Sequence, residues 1–190
     1  MENNKPIAAG KSSIELVESD KVFDAIAPRP GQKFLDLACG FGKYSLEIAE
    51  RVGPDGEVYA LDLWPEGLEY LREQAAVRGL EQIEAMRVDM TGELPFPDRS
   101  LNACLIATTL HDLSKDQQRS VLNEVARTLQ DGGELNIIEF KKIDVGPGPP
   151  VEVRMEEEEV DALVTSHGFE KIGRADVGDY HYLTRYRKRA

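Results

Sequence analysis

Residues 34–63 read FLDLACGFGKYSLEIAERVGPDGEVYALDL, and no other stretch restricts the chain so tightly. The short apolar run KFLDLA enters a turn holding Gly40 and Gly42, and a helical segment follows from about Tyr44 to Arg51. GPDG at 53–56 is turn chemistry, and EVYALDL is a second apolar run with Asp62 at its end. Strand, glycine turn, helix, turn and strand form a crossover unit, and such units build mostly parallel sheets with right-handed connections.

The rest of the chain repeats the alternation. SSIE at 12–15 offers a capping box, so a first helix is expected from Ser12 or Ser13, with Leu16, Phe23 and Ile26 on one face and PRPG at 28–31 as its stop. Pro65 suits the first turn of the next helix, and IEAMRVDM is a third strand. After the loop GELPFPDRS, the unbroken apolar run LNACLIATT has the form of a strand covered on both faces. SKDQ caps a helix carrying Val121, Leu122, Val125, Ala126 and Leu129 at helical spacing, DGG at 131–133 is expected to end it, and ELNIIEF is a fifth strand. DVGPGPPVEV is the one Gly/Pro-rich stretch long enough for a mobile loop. MEEEEVDALVTSHG is a last helix with glutamates at its positive end and Gly168 past its close. FEKIGRADVG and YHYLTRYRK have no helix between them and should pair as an antiparallel hairpin. The expected fold is therefore α/β: a Rossmann-like, seven-stranded, mostly parallel sheet with helices on both faces and a C-terminal antiparallel hairpin.

Within one domain over 1–190, residues 1–30 would be a cap segment and helix, 31–140 the ligand-binding core, and 141–190 the mobile loop, last helix and hairpin. The chain has 35 acidic residues against 23 Lys and Arg, a formal net charge of −12. Such a surface disfavours phosphate backbones, whose binding rests on basic residues displacing counterions, and RYRKRA near the C-terminus reads as a solvated strand end. No nucleic acid is expected as a partner. No apolar run reaches the ~18 residues of a membrane span, the N-terminus lacks the pattern of a signal peptide, and Cys39 and Cys104 form no disulfide framework or metal motif. A cytoplasmic setting and a small-molecule partner follow.

Gly40 and Gly42 let the backbone approach a ligand, and the helix after them offers free N–H groups. A tight turn alone explains the glycines but not Asp62, which suits a ribose hydroxyl pair. Two ligands share that logic, a nicotinamide dinucleotide (NAD) and S-adenosylmethionine (SAM). Asp36, inside the first strand, would sit poorly beside a pyrophosphate and well beside an ammonium group. Asp89, in VDM, is placed to accept from an adenine amino group. The hairpin ending suits a seven-stranded sheet, and a dehydrogenase of this length would lack a catalytic domain. These residues favour SAM.

LDLACGFGKYS, VYALDL, VDMTGELPFPDRSLNACLIATTLHDL and ARTLQDGGELNIIEF resemble, in order, the successive motifs of class I SAM-dependent methyltransferases. The similarity is greatest to the small-molecule branch that includes the ubiquinone/menaquinone-biosynthesis C-methyltransferases, and it covers about residues 10–188. The resemblance implies that Asp36, Ala38, Gly40 and Gly42 hold the methionyl part of SAM, and that Asp62 binds the ribose with Leu63 beside the adenine. Asp89 and Met90 would cover the adenine edge and face, and Ala107 would lie near the sulfonium. AGKSS at 9–13 resembles a segment closing over the methionine end, where Lys11 would meet its carboxylate.

SAM carries an activated methyl, so the protein must mainly align and desolvate, and alignment alone is worth roughly 7–11 kcal/mol. His111, just after the fourth strand, is the candidate general base for an acceptor proton; shaping the pocket, or bonding a backbone carbonyl, is the alternative. Asp112 would orient its ring. Thr108 and Glu139 would meet the acceptor, although Glu139 reads equally as a solvated strand end. His167 reads as a helix-end partner and His181 as sheet packing. With two cysteines, arsenite methylation is disfavoured. The short N-terminal helix and the 143–154 loop are the only lid elements visible, so the pocket is partly open or completed by another subunit, as in a homodimer, or by a partner protein. A methyltransferase-like protein holding SAM or S-adenosylhomocysteine (SAH) without turnover is the competing reading, and an NAD-dependent oxidoreductase a third.

Overall fold

The computed structural model describes residues 12–190. After a single 3-10 turn at Ser13–Glu15, the elements run α1 (Ser19–Ile26), β1 (Lys33–Leu37), α2 (Lys43–Val52), β2 (Glu57–Asp62), α3 (Pro65–Arg78), β3 (Ile83–Arg87) and β4 (Leu101–Ala107). A second 3-10 turn, Leu110–Asp112, leads to α4 (Lys115–Thr128), β5 (Leu129–Phe140), α5 (Glu157–Thr165), β6 (Phe169–Asp176) and β7 (His181–Lys188). The strands form one seven-stranded sheet in the order β3-β2-β1-β4-β5-β7-β6. All neighbours from β3 to β5 are parallel, and β7 lies antiparallel to both β5 and β6. The expected sheet and closing hairpin are both present.

Both faces of the sheet are covered, which is why its central strands show no polar alternation. Along β4, Cys104 and Ile106 face a core completed by α4 and α5 through Val121, Leu122, Val125, Val160 and Val164. Ala103 and Leu105 face the opposite side, where α1 and α2 contribute Val22, Phe23, Ile26, Tyr44 and Ile48. Each fully buried Val, Leu or Ile contributes about 1.5–3 kcal/mol, so a one-residue slip that exchanged the faces would be heavily penalised. The chain builds outward from β1 to β3, then returns to lay β4 against β1. That reversal leaves a crevice at the carboxyl ends of β1 and β4, where open sheets of this kind bind ligands.

Two local expectations fail, each because a tertiary contact outweighs a local one. Ser12 makes no side-chain cap and only one 3-10 turn forms there; the helix proper begins at Ser19. The Ser13 hydroxyl bonds the Tyr44 hydroxyl at 3.1 Å, Glu15 pairs with Lys43, and the Glu18 amide donates to the Val177 carbonyl at 2.8 Å. These cross-molecule bonds draw the segment out of helical shape. The helix before DGG ends at Thr128, and residues 131–133 lie inside β5. They form the irregularity between the pairs Leu101–Leu129 and Ala103–Glu134, with Gly132 at a φ of +77°. Among the described residues, no helix is long and apolar enough to cross a membrane.

Candidate active site

The carboxyl end of β1 turns sharply. Ala38, Gly40 and Gly42 all have positive φ (58°, 57° and 66°), and at Gly42 an added Cβ would lie 2.5 Å from the Leu71 methyls. Across the crevice, Thr108 follows β4 with a φ of 51°. A β-branched residue in that region is a genuine outlier, and such strain persists only where the surroundings fix it. The Thr108 amide is held by the Ile138 carbonyl at 2.7 Å.

Asp62 closes β2 and spans the opening of the crevice. One carboxylate oxygen accepts from the Gly40 amide and the other from the Trp64 amide, both at 2.8 Å. Charge-assisted bonds of this kind contribute about 1.5–3 kcal/mol each, so they fix both the carboxylate and the glycine turn. Each carboxylate oxygen keeps a second lone-pair direction for a ligand hydroxyl. Beyond β3, one Asp89 oxygen accepts from the Thr91 amide at 2.9 Å and its hydroxyl at 2.7 Å, while the side chain stays exposed. Leu63 is exposed and Met90 buried.

Together these elements enclose a cavity of about 370 Å³, inside the usual ~300–1,000 Å³ range of small-molecule sites. Ala38, Gly40, Asp62, Leu63, Asp89, Met90, Ala107, Thr108 and Asp112 all line it. Trp64, Thr109 and Gln117 line it as well, and the sequence reading had not singled them out. Trp64 could have been found, since it follows Asp62 closely and Phe41, between the two glycines, packs edge-on against its ring at 4.7 Å. Lys11 lies outside the described residues.

Asp36 and Gly42 sit behind the turn. Asp36 is buried, bonded by the Ser45 hydroxyl at 2.5 Å, and burial pushes its carboxyl up to about 7, with the nearby Asp62 charge adding to the rise and the Ser45 bond opposing it. A carboxyl poised this way is ready to ionise when a cation approaches.

His111, Asp112 and Glu139 form a second group. Glu139 is fully buried, which removes the solvated reading: its strand runs on to Phe140, and α4 and α5 cover that face. One of its oxygens lies 2.6 Å from His111 Nδ1, and the other receives the His111 amide at 3.4 Å. Asp112 approaches Nε2 at 3.6 Å, beyond a hydrogen bond. The His111 side chain is 4% exposed, and it does not line the cavity, whereas Asp112 does. Burial opposes protonation of the ring, but the bond to Glu139 and the charges of Glu139 and Asp112 prevail and raise its pKa. The orienting contact thus comes from Glu139, remote in sequence. His167 Nδ1 meets the Leu163 carbonyl at 2.7 Å near the end of α5.

A SAM molecule fits these residues. The paired carboxylate sites of Asp62 suit a ribose diol, Leu63 and Met90 offer apolar surface beside the exposed acid Asp89, and the small side chains of Ala38, Gly40 and Ala107 leave room at the strand ends.

Comparison with known proteins agrees. Residues 34–133 match the family model described as a methyltransferase domain. The ubiquinone/menaquinone biosynthesis C-methyltransferase of a Ruegeria species is 34% identical over 133 residues, 68% of this chain and 51% of that protein. An arsenite methyltransferase from Halobacterium salinarum is 37% identical over 117 residues, 62% of this chain and 29% of that protein. The matches thus span about half, or less, of those relatives. The crystal structure of a SAM-dependent methyltransferase from Aquifex aeolicus superposes with a TM-score of 0.83 at 29% identity, covering 93% of this chain and 92% of that one. In sequence, in sheet order and in the build of its strand-end cavity, the chain belongs to the class I SAM-dependent methyltransferase family.

Proposed function

We propose that this protein transfers a methyl group from SAM to a small-molecule acceptor, the work of cofactor binding falling within residues 31–140. The observation that carries the reading is the Asp62 carboxylate, pinned by two backbone amides at the mouth of a cavity on the sheet's reversal point. Bound SAM would supply a methyl on a positive sulfur, open to in-line displacement. Asp62 would hold the ribose hydroxyls, Asp89 the adenine amino edge, and Leu63 and Met90 its faces. Ala38, Gly40 and Gly42 would admit the methionyl part, with Asp36 as counter-charge for its ammonium and Ala107 near the sulfonium.

On the acceptor side, Thr108 and Asp112 line the cavity wall and His111 stands behind them. Glu139 fixes the imidazole through Nδ1, the arrangement in which a buried carboxylate sets tautomer and orientation for a base. His111 accepts a proton only when neutral, so its raised pKa moves that role toward higher pH. The C-methyltransferase name of the Ruegeria relative favours a carbon acceptor, and the net charge of −12 disfavours RNA. Burial raises the pKa of both thiols, which keeps them from the thiolate form that binds arsenic and supports an organic acceptor.

The test is an acceptor screen that reads SAH release by mass spectrometry, with His111→Asn alongside. Acceptor-dependent SAH from the wild type, reduced in the variant at unchanged SAM affinity, supports transfer. SAM binding with no SAH across hydroxyl, amine, thiol and carbon-acid acceptors would favour a SAM-holding protein without turnover.

A further inference from the structure

Residues 141–154, KKIDVGPGPPVEVR, leave the end of β5 and have no regular secondary structure of their own. One buried side chain organises them. Arg154 is 5% exposed, and its guanidinium donates to the carbonyls of Pro149 and Ile143 at 2.9 Å, and of Lys141 and Pro147 at 3.2 Å. The three prolines give no amide hydrogens, and the backbone bonds within the segment are short-range ones at its two ends: the Ile143 amide to the Lys141 carbonyl at 2.8 Å, Val153 to Pro150 at 3.1 Å and Arg154 to Val151 at 3.2 Å. Its underside lies flush on two rings. A Cβ at Gly146 would stand 2.1 Å from the Tyr180 ring, and one at Gly148 would stand 2.4 Å from Phe140. Its upper side leaves Val145 and Val153 exposed.

Beside the covered Phe140 ring sits His181, fully buried, its ring 4.2 Å from that of Phe140. Neither ring nitrogen has a hydrogen-bond partner among the described residues; the Leu16 carbonyl lies near enough to favour a proton slightly but without hydrogen-bonding geometry. Leaving a buried polar group unpaired normally costs a protein about 1–3 kcal/mol. Phe140 also packs edge-on against His111, centroids 5.8 Å apart, so the covered rings adjoin the proposed base. Burial and the nearby charges of Arg154 and Lys141 keep the His181 ring neutral, with one nitrogen donating and the other accepting.

We propose that residues 143–154 are a lid kept in its closed shape by Arg154, whose guanidinium lies over the Phe140 ring at 5.4 Å, and that its opening uncovers a subsite floored by Phe140 and His181 where an uncharged hydroxyl of the acceptor hydrogen-bonds the imidazole. The acceptor role rests on the methyl-transfer reading of the adjacent cavity; the lid does not. A hydroxyl both donates and accepts, and so complements a neutral imidazole. Arg154 is a positioning residue here, acting through the backbone it gathers.

Diethyl pyrocarbonate acylates neutral, solvent-accessible imidazoles, and peptide mass spectrometry reads His181 separately from His111 and His167. In the full-length protein we expect Arg154→Gln to speed His181 acylation about tenfold, or about 1.4 kcal/mol of lid closure, with His167 and SAM affinity unchanged. Arg154→Lys, which keeps the charge and loses the fork, should fall between and serves if the first variant folds poorly. Phenol, a minimal hydroxyl-bearing probe, should slow His181 acylation in the opened variants. Equal His181 reactivity in wild type and both variants overturns the lid, and reactivity indifferent to phenol overturns the subsite. Absence of SAM binding by the wild type would instead sink the methyl-transfer reading while leaving the acylation result standing.

Discussion

Asp36→Asn should stabilise the ligand-free protein at alkaline pH while weakening SAM binding. Asp36 shares its strand face with Phe34, is 1% exposed, and has the Ser45 hydroxyl as its near partner. Its folded pKa of about 7 stands above the ordinary 3.8. A carboxyl raised on folding favours the native state below its unfolded pKa, and that advantage is lost as pH climbs toward the folded value. Above about pH 7 the fold carries the whole burden of a buried carboxylate. At about 1.36 kcal/mol per pH unit, the gap from 3.8 to about 7 is worth on the order of 4 kcal/mol. Asparagine has the same shape and no charge to bury. Urea denaturation near pH 4.5 and near pH 8 should therefore show a small difference between variant and wild type at the lower pH and a large advantage for the variant at the higher one. For a domain of this size that corresponds to about 2–4 °C in Tm per kcal/mol. In the wild type, SAM binding at about pH 6 should release protons, read as a dependence of binding enthalpy on buffer ionisation. A stability difference that stays constant with pH would refute this account of Asp36.

Asp62→Ala removes the acceptor for the Gly40 and Trp64 amides as well as the proposed ribose contact; we expect SAM affinity to fall by about 1.5–3 kcal/mol or more, and titration calorimetry finding it unchanged would remove Asp62 from the site. Glu139→Gln weakens the bond to His111 Nδ1. Because His111 has a raised pKa, its contribution is full below the unfolded value of about 6.5 and lost as pH rises through the folded one, so the variant should lose about 1.5–3 kcal/mol near pH 5.5 and less near pH 9, by urea titration. Gly42→Ala combines a positive φ with a Cβ 2.5 Å from Leu71 and should cost more than the ~1 kcal/mol of an ordinary Gly-to-Ala misfit, visible as a lowered Tm.

The sheet was legible because strand and helix patterns alternate without interruption and because buried parallel strands write themselves as unbroken apolar runs. The cavity lining was legible because it follows local order: the glycine turn, Asp62 and Asp89 each lie at or just past the carboxyl end of a strand, and strand ends at the reversal point converge in space. The acceptor side was less so. Glu139 reaches His111 only because β5 lies beside β4, a pairing across 28 residues, and nothing in LNIIEF distinguishes a buried acid from a solvated one. Arg154 stands among valines and glutamates, and its grip on the preceding loop has no local signature. The misplaced first helix shows the same limit: SSIE is good capping chemistry, yet Tyr44 claims the Ser13 hydroxyl.

The most direct measurement is calorimetric titration of the full chain with SAM and SAH, with NAD as control. Binding of both sulfur compounds at micromolar concentrations, none of NAD, and loss of SAM binding in Asp62→Ala is the expected result. Binding of NAD without SAM, or SAM affinity indifferent to Asp62, would contradict the assignment of this cavity.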